Sequence, residues 1–232
     1  MAPRVAAAFL GGVALLQPAP EAEARAREAM VAQQLAARGI RDARVLAAFR
    51  SLPRHPFVPE PYRALAHADQ PLPIGEGQTL SQPFVVAVML QALQLRGAER
   101  VLEVGSGSGY VLALLDRMGC RARGVELEPV LCERSRKTLA EVGARDARVR
   151  CGDGFAGWPE EAPFDAVLLS CAVPDIPAPL VRQLKEGGRL VAPVGGKDQD
   201  LVLYTRKGES LAKRILVPVR FVPMRRRAGE PN

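Results

Sequence analysis

Residues 101–110, Val-Leu-Glu-Val-Gly-Ser-Gly-Ser-Gly-Tyr, decide the fold of this 232-residue chain. Apolar residues lead directly into three alternate glycines, and a second apolar run follows from Val111 to Leu115. This order predicts a buried strand, a tight loop and a helix, which together make half of a βαβ unit. Because glycine has no Cβ, such a loop can turn sharply and bring its backbone into contact with a ligand. We expect the loop to form the floor of a ligand site, the alternative being an ordinary glycine-rich turn.

A second signal is the carboxylate of Glu126, which ends a short apolar strand over residues 122–125. It follows Gly105 at the ~20-residue spacing at which an acidic side chain binds a ribose diol. Both a nicotinamide dinucleotide and S-adenosylmethionine carry this diol, so the spacing alone does not choose between them. A dinucleotide fingerprint needs Gly or Ala at its sixth position, and counting from Gly105 that position is Tyr110. The acidic Glu103 before the loop also suits a cationic methionine group, so the pattern favours S-adenosylmethionine.

Beyond the glycine loop, apolar strands alternate with helices. A helix is predicted over residues 129–142, strands over 148–151, 164–170 and 188–193, and a hairpin from 201–206 and 211–219. The expected fold class is α/β, a doubly wound, mostly parallel Rossmann-like sheet with a terminal antiparallel hairpin and an N-terminal helical region. Strand 164–170 should lie beside the first strand. Ligands bind at the carboxyl ends of such strands, so one crevice should collect Gly105, Glu126, Asp153 and Ser170.

The first 20 residues have the layout of a secretory signal. Arg4 precedes the apolar run Val5 to Leu16, and a stretch rich in proline and alanine follows. We expect residues 1–20 to be a leader or a disordered N terminus. The expected location is cytoplasmic, and the alternative is periplasmic if residues 1–24 act as an export signal.

A single domain is expected over residues 21–232, divided into a helical accessory region with a substrate loop (21–95) and a cofactor-binding core (96–232). In the accessory region, one helix should run from Glu21 to Arg38 and stop at Gly39. Asp42 should cap a second helix that runs to about Arg50.

Residues 69–83 are predicted to be a long loop, because they contain several prolines and glycines. A loop of this length usually has a binding role or is disordered. It includes the polar run Gln78-Thr-Leu-Ser-Gln82. A buried helix should follow over residues 84–95, with Ser81 or Gln82 at its N-terminal end.

The net charge of the chain excludes few classes of function. The net charge is +7, yet the basic residues are spread along the chain and argue only weakly for nucleic acid. The cluster at residues 225–227 is typical of a solvated tail.

The four cysteines form no Cys-x-x-Cys pair. They are predicted to be core thiols, with neither a disulfide nor a metal site: Cys120, Cys132, Cys151 and Cys171. His55 and His67 are too isolated in the sequence to suggest a metal.

The ordered motifs of the core resemble those of class I S-adenosylmethionine-dependent methyltransferases. They are Gly105-Ser-Gly-Ser-Gly109, Gly124-Val-Glu126, Gly152-Asp-Gly154, Phe164-Asp-Ala-Val-Leu168 and Lys185-Glu-Gly-Gly-Arg-Leu190. Four further segments narrow the resemblance to the protein-L-isoaspartate O-methyltransferase family: Gly39-Ile-Arg-Asp42, Pro53-Arg-His-Pro-Phe-Val58, Ile74-Gly-Glu-Gly-Gln-Thr-Leu-Ser-Gln-Pro83 and Val219-Arg-Phe-Val-Pro-Met224. The resemblance runs from about Arg25 to Met224. One departure is Ser170-Cys-Ala-Val-Pro174, where the family usually has a Thr-Ala-Ala-Pro-Pro-like run.

The resemblance implies methyl transfer from S-adenosylmethionine to the free α-carboxylate of an L-isoaspartyl residue in a damaged protein. The ester then collapses without enzyme to a succinimide, whose hydrolysis returns some normal aspartate. A carboxylate with a pKa near ~4 is ionised at neutral pH and needs no general base. The enzyme has only to align the oxygen, methyl and sulfonium and to exclude water. We expect a monomer that acts on isoaspartyl-containing proteins and peptides, and that binds no nucleic acid, membrane or metal.

The same resemblance assigns the site residues. Ser81 matches the active-site serine, and substrate contacts are expected from Thr79, Leu80 and Gln82. The cofactor should contact Glu103, Gly105, Ser106, Gly107, Glu126, Leu127, Asp153 and Gly154. Simpler interpretations stay open, namely a turn cap for Asp153, a helix cap for Ser81 and a solvated strand end for Glu126.

Two rival functions also stay open. A nucleic-acid methyltransferase often has Asn/Asp-Pro-Pro-Tyr/Phe after the fourth strand to hold a flipped base, and Ser170-Cys-Ala-Val173 lacks that motif. A non-catalytic cofactor-binding module is the other alternative.

Overall fold

The computed structural model describes residues 20–226, so the predicted leader lies outside the described residues apart from Pro20. The helices are α1 (Pro20–Ala29), α2 (Ala43–Ser51), α3 (Pro83–Leu93), α4 (Tyr110–Arg117), α5 (Pro129–Glu141) and α6 (Ala178–Gln183). The strands are β1 (Leu72–Gly75), β2 (Gln78–Leu80), β3 (Arg100–Val104), β4 (Arg121–Glu126), β5 (Arg148–Cys151), β6 (Phe164–Leu169), β7 (Leu184–Gly195), β8 (Gln199–Lys207) and β9 (Ser210–Val219). Over residues 20–226, no helix has both the length and the apolar character needed to cross a membrane.

Seven strands form a mixed sheet in the order β5-β4-β3-β6-β7-β8-β9. The strands from β5 to β7 pair in parallel, and β8 and β9 extend the sheet as an antiparallel hairpin. The predicted pairing of the first strand with strand 164–170 is present, since Val101 of β3 lies opposite Ala166 of β6. The predicted fold class is therefore confirmed.

Strand β3 separates two apolar clusters, because successive side chains of a strand point to opposite faces of the sheet. Val101 belongs to the larger cluster, which also contains buried residues of α2, α3, α4 and α5. Leu102 and Val104 belong to the smaller cluster, which contains Leu180 of α6. Full burial of each such side chain stabilises the fold by roughly 1.5–3 kcal/mol. The glycine loop at the carboxyl end of β3 therefore starts from a rigid base.

The accessory region begins as predicted. Helix α1 passes into a π-helical turn, Met30–Leu35, and a short 3-10 turn, Ala36–Arg38. Gly39 then ends the helix in the left-handed region, with φ of 96°. The carboxylate of Asp42 accepts hydrogen bonds from backbone N–H groups in the first turn of α2. The predicted helix stop and helix cap are both confirmed.

The prediction of an irregular loop over residues 69–83 is wrong in its middle. β1 and β2 pair as an antiparallel hairpin in which Leu72 lies opposite Leu80. Leu72, Ile74 and Leu80 are buried in the larger core cluster. Proline at position 73 hid this alternation, because proline is compatible with a strand only where its missing N–H is not needed. The hairpin is thus fixed on the core by its own apolar side chains.

Two of the four cysteines are joined, which corrects the prediction that all four are core thiols. Cys132 of α5 and Cys151, the last residue of β5, form a disulfide with Cα atoms 5.7 Å apart. The partners lie 19 residues apart in the chain and meet only because α5 packs against β5. Cys120 and Cys171 are buried free thiols, as predicted.

Candidate active site

The glycine loop joins β3 to α4 at the carboxyl edge of the sheet. Gly105 and Gly107 have φ values of 76° and 53°, in the left-handed region that favours glycine. A Cβ on Gly107 would lie 3.0 Å from Cδ1 of Ile74 in β1, and one on Gly105 would lie 3.4 Å from Sγ of Cys171. The hairpin therefore leaves little room for a side chain at Gly107. We call the space lined by this loop the glycine-loop crevice.

The glycine-loop crevice lies where parallel strands end, which is where ligands bind in such sheets. Besides the two glycines, it is lined by Glu126, Leu127, Gly154, Ser170, Thr79 and Met224, among others. Of the four residues predicted to converge, Gly105, Glu126 and Ser170 line the crevice, and Asp153 does not. The C-terminal segment after β9 forms one wall, which the sequence did not indicate.

Glu126 is held at the edge of this crevice by the backbone. Its side chain is only 5% exposed, so it is not a solvated strand end. Oε2 accepts a hydrogen bond from the N–H of Gly107 at 2.7 Å, and Oε1 accepts one from the N–H of Glu128 at 2.9 Å. A carboxylate has about four lone-pair sites, so each oxygen can still accept a hydroxyl. The geometry suits a diol.

Glu103, a predicted cofactor contact, does not line the crevice but is joined to Ser170, which does. It is 1% exposed, and its Oε1 accepts a hydrogen bond from the Ser170 hydroxyl at 2.7 Å. Its Oε2 is buried without a hydrogen-bond partner. Burial raises the pKa of Glu103 to about 8, against the lowering effect of the Ser170 hydrogen bond, and the nearby Glu126 raises it further. A cation bound above this carboxyl group would favour its ionised form.

Two predicted cofactor residues have side chains directed elsewhere. Asp153 uses Oδ1 to accept a hydrogen bond from the N–H of Phe155 at 2.9 Å, and its Oδ2 lies 3.9 Å from Nη1 of Arg226. It lines a neighbouring groove, so the simpler interpretation as a turn cap describes this arrangement. Ser106 is 4% exposed, and its hydroxyl faces Gly124 of β4, where a Cβ would lie 3.0 Å from it.

Ser81 lines a second space, which we call the Ser81 groove. It is bordered by β2, the start of α3 and the segment after β9, through residues that include Thr79, Gln82, Ser170, Arg220 and Val222. Thr79, Ser170 and Val222 also line the glycine-loop crevice, so the two spaces adjoin. Leu80, a predicted substrate contact, is instead packed in the core. No carboxylate or imidazole of the described chain lines the groove, so the groove suits a nucleophile that is already ionised.

The helix cap at the groove is Asp69, not Ser81. Oδ1 of Asp69 accepts a hydrogen bond from the N–H of Phe84 in the first turn of α3 at 3.1 Å. Oδ2 accepts one from the side chain of Gln82 at 2.7 Å and another from Arg38. This carboxylate also occupies the positive end of α3. Asp69 stands 15 residues before Phe84, so no local pattern could have identified it.

A buried arginine supports the groove from behind. Arg54 is fully buried and donates hydrogen bonds to the backbone carbonyls of Ala66 and Ser81. Burial lowers the pKa of Arg54 to about 10, so the guanidinium stays charged at neutral pH. In the sequence, Arg54 stands out only as part of the segment Pro53-Arg-His-Pro-Phe-Val58.

The two histidines, which are far apart in the sequence, lie beside the same carboxylate in the structure. Nδ1 of His55 and Nδ1 of His67 lie 3.2 and 3.3 Å from Oε2 of Glu23 in α1. Burial lowers the pKa of His67 to about 4, and Arg27 lowers it further, so His67 is neutral at pH 7. Because His67 is neutral, its contact with Glu23 is not an ion pair.

The sequence model of the family described as Protein-L-isoaspartate(D-aspartate) O-methyltransferase matches residues 25–229. The chain is 58% identical over 209 residues to Protein-L-isoaspartate O-methyltransferase 2 of Anaeromyxobacter sp. (strain Fw109-5), which covers 89% of this chain and 85% of that protein. It is 48% identical over 199 residues to Protein-L-isoaspartate O-methyltransferase of Gloeobacter violaceus, covering 85% and 97%.

Two solved structures are also similar. One is a protein-L-isoaspartate O-methyltransferase with a TM-score of 0.78 and 28% identity, matched over 85% of this chain and 65% of that chain. The other is a Plasmodium falciparum protein provisionally assigned to the same family, in complex with S-adenosyl-L-homocysteine. Its TM-score is 0.75 and its identity 25%, over 86% of this chain and 98% of that chain.

Proposed function

Because the chain belongs to the protein-L-isoaspartate O-methyltransferase family, we propose that the glycine-loop crevice and the Ser81 groove together form its methyl-transfer site. The enzyme moves a methyl group from S-adenosylmethionine to the free carboxylate of L-isoaspartyl residues in damaged proteins and so initiates their repair. The observation that supports this placement is the shared lining of the two spaces by Thr79, Ser170 and Val222. A donor in one space and an acceptor in the other would meet at these residues.

The glycine-loop crevice fits S-adenosylmethionine on two grounds. The backbone at Gly107 leaves a space that a Cβ would fill. The buried Oε2 of Glu103 has no hydrogen-bond partner, and a nearby cationic group would stabilise negative charge on it. When bound, the cofactor supplies an electrophilic methyl group on a sulfonium. Gly105 and Gly107 would hold the methionine part, Glu126 would accept hydrogen bonds from the ribose hydroxyls, and Leu127 with Gly154 would border the adenine. Asp153 would reach the adenine only after leaving its cap on Phe155.

The Ser81 groove is proposed to hold the isoaspartyl carboxylate. The Ser81 hydroxyl would donate a hydrogen bond to one carboxylate oxygen and leave the other free to attack the methyl group. Thr79 and Gln82 border the same groove and are proposed to contact the peptide. Because the carboxylate is ionised at neutral pH, the absence of a base from the groove lining is consistent with the reaction. Orientation of this kind can lower a barrier by up to roughly 7–11 kcal/mol.

We propose that residues 21–95 form the substrate side of a single domain, that residues 96–232 form the cofactor core, and that the enzyme acts as a monomer. A nucleic-acid substrate is disfavoured by the wall after β6. There, Val173 is fully buried and Sγ of Cys171 packs against Gly105. Residues 170–174 contain no aromatic side chain on which a flipped base could stack.

We propose a periplasmic location, the alternative to the expected cytoplasm. Disulfides persist in secreted and periplasmic proteins, whereas cytosolic thiols are kept reduced. The Cys132–Cys151 bond therefore favours the export alternative that the sequence of residues 1–24 suggests. N-terminal sequencing of the mature protein, with alkylation of free thiols before reduction, tests this proposal. An intact Met1 and four alkylated cysteines would contradict it.

The function is tested by the transfer of labelled methyl from S-adenosylmethionine to an isoaspartyl peptide and to its aspartyl twin. Label should appear on the isoaspartyl peptide alone, as a base-labile ester. A calorimetric titration with S-adenosylhomocysteine, run beside the transfer assay, distinguishes an inactive binding module, which binds without transfer, from an enzyme. Binding without transfer to the isoaspartyl peptide would refute the proposed activity.

A further inference from the structure

Arg54 is a buried cation with an unusual set of partners. Its Nη1 donates to the carbonyl of Ala66 and its Nη2 to the carbonyl of Ser81 at 2.9 Å, while Nε has no partner. The guanidinium carbon also lies 5.6 Å from the ring centroid of Tyr110. One side chain therefore contacts the substrate-side backbone and the first residue of α4, which directly follows the glycine loop.

The two carbonyls flank the segment that carries the β1–β2 hairpin. Ala66 precedes this segment and Ser81 ends it, so the planar guanidinium joins its two ends. At the far end of β1, Arg134 of α5 donates to the carbonyl of Ile74. Arg54 thus fixes the base of the hairpin segment, where Ser81 lies, and Arg134 fixes its tip.

A contribution to the stability of the fold does not by itself explain why Arg54 is buried here. Burial of a cation costs several kcal/mol unless a carboxylate compensates it. Arg123, for comparison, pairs with Glu161 at 2.7 Å. Within residues 20–226, Arg54 makes no such ion pair. Its charge is stabilised by carbonyl dipoles, by the face of an aromatic ring and by the more distant carboxylate of Asp69. Side chains retained at a cost in stability are expected at functional sites.

The contact with Ser81 is made through the backbone. A carbonyl held toward Arg54 fixes the peptide plane after Ser81 and so restricts the backbone position from which the serine side chain projects at the groove. Arginine suits this task because its rigid fork can donate to two oxygens at once, whereas lysine is a single flexible point charge. Tyr110 is itself only 1% exposed and packs edge-on against Phe49 and Phe57, so the guanidinium rests on a fixed ring.

We propose that Arg54 is a positioning residue for methyl transfer, which orients Ser81 through its backbone carbonyl and keeps the Ser81 groove aligned with the glycine-loop crevice. This inference rests on the proposed role of Ser81. It assigns Arg54 no contact with substrate or cofactor. Its effect is on the alignment of the attacking oxygen, so it should appear in kcat and not in cofactor affinity.

The test compares Arg54→Lys and Arg54→Gln with the wild-type enzyme, alone and combined with Ser81→Ala. Arg54→Lys should lower kcat on an isoaspartyl peptide by between about 10- and 100-fold, the range expected when a catalytic group is displaced by about 1 Å. The KM for S-adenosylmethionine and the calorimetric affinity for S-adenosylhomocysteine should stay unchanged. In the Ser81→Ala background, either Arg54 variant should slow the reaction little further, because residues that act through one another are not additive.

Arg189→Lys provides a matched control. Arg189 donates to the carbonyl of Leu93 at 3.0 Å, at the opposite end of α3 from Ser81. Its replacement should lower the thermal midpoint without changing kcat. Normal kcat in both folded Arg54 variants, while Ser81→Ala is slow, would overturn the role of Arg54 and leave that of Ser81 intact. Equal slowing by Arg54→Lys with and without the Ser81 hydroxyl would also overturn it. Normal turnover of Ser81→Ala would instead overturn the proposed role of Ser81.

Should Arg54→Lys fail to fold, the less demanding Arg54→Gln variant carries the same comparison, since its amide retains two donors without charge. Amide NMR shifts of Ser81 and Gln82 supply an independent readout in the folded variants. They should move in the Arg54 variants and stay fixed in Arg189→Lys. Unchanged shifts together with reduced kcat would exclude positioning through the Ser81 carbonyl.

Discussion

Replacement of Glu126 by alanine should weaken the binding of S-adenosylhomocysteine by about 1.5–3 kcal/mol, the usual worth of a hydrogen bond to a charged group. The lower bound corresponds to one ribose hydroxyl that loses its acceptor. Each 1.4 kcal/mol is a tenfold change in the dissociation constant, so Kd should rise by between about 10- and 150-fold. NAD should bind neither the variant nor the wild-type protein.

The structure adds a cost in stability to this loss of affinity. Glu126 also accepts hydrogen bonds from the N–H groups of Gly107 and Glu128. Removal of the carboxylate leaves these two donors without their acceptor, and each buried orphan costs about 1–3 kcal/mol if water does not reach it. The thermal midpoint should therefore fall as well. Affinity must be measured well below the lowered midpoint, so that unfolding does not imitate weak binding.

Isothermal titration calorimetry with S-adenosylhomocysteine at low temperature separates the two effects. Glu133→Gln serves as the control, because Glu133 is a carboxylate exposed on α5 that pairs with Arg136 on the same helix. This variant should keep both its affinity and its midpoint. Unchanged affinity in Glu126→Ala, measured on folded protein, would remove Glu126 from the ligand site and refute the reasoning from the diol.

Three further predictions follow from the site and its surroundings. Ser81→Ala should slow methyl transfer by ~2.7–4 kcal/mol in activation free energy and keep its thermal midpoint, because Asp69 is the cap of α3; a lowered midpoint with normal turnover would contradict this. Glu103 has a folded pKa of about 8 against an ordinary value of 4.5, so the folded state binds more protons between these values and stability should fall as pH rises through this window. The free energy of unfolding, measured by chemical denaturation across that pH range, should depend less on pH in Glu103→Gln than in the wild-type protein. Identical pH profiles would refute the raised pKa of the buried carboxyl group. Deletion of residues 1–20 should leave folding and activity intact, since the family match begins at residue 25; a large fall in the thermal midpoint would show that the segment packs on the core.

The structural features that were predicted correctly are those that depend on residues close together in the sequence. The strand before the glycine loop, the carboxylate at the end of the next strand and the cap at Asp42 each depend on neighbours within a few positions. Their backbone requirements appear directly as residue types, such as glycine where φ is positive. Ser81 was selected in the same way, as part of a contiguous segment, and its role stays a prediction. For these positions, the order of residues alone was sufficient.

The wrong predictions concern contacts between segments that are distant in the sequence. The sequence predicted a loop at residues 69–83 because proline obscured the alternation of Leu72 and Ile74, whose burial depends on a core built elsewhere. It predicted four free thiols because nothing local brings Cys132 to Cys151.

The sequence by itself determined the fold class and the family, because these depend on hydrophobic periodicity and on short motifs within single elements. It also predicted the edge of the sheet at which we propose the ligand site. Only the tertiary structure decided that Asp69 caps α3 and that Arg54 holds the carbonyl of Ser81. Both contacts join residues well separated in the chain. Their distances are set by how separate segments of the accessory region pack on one another, and a hydrogen bond forms only when that packing brings donor and acceptor within about 3 Å.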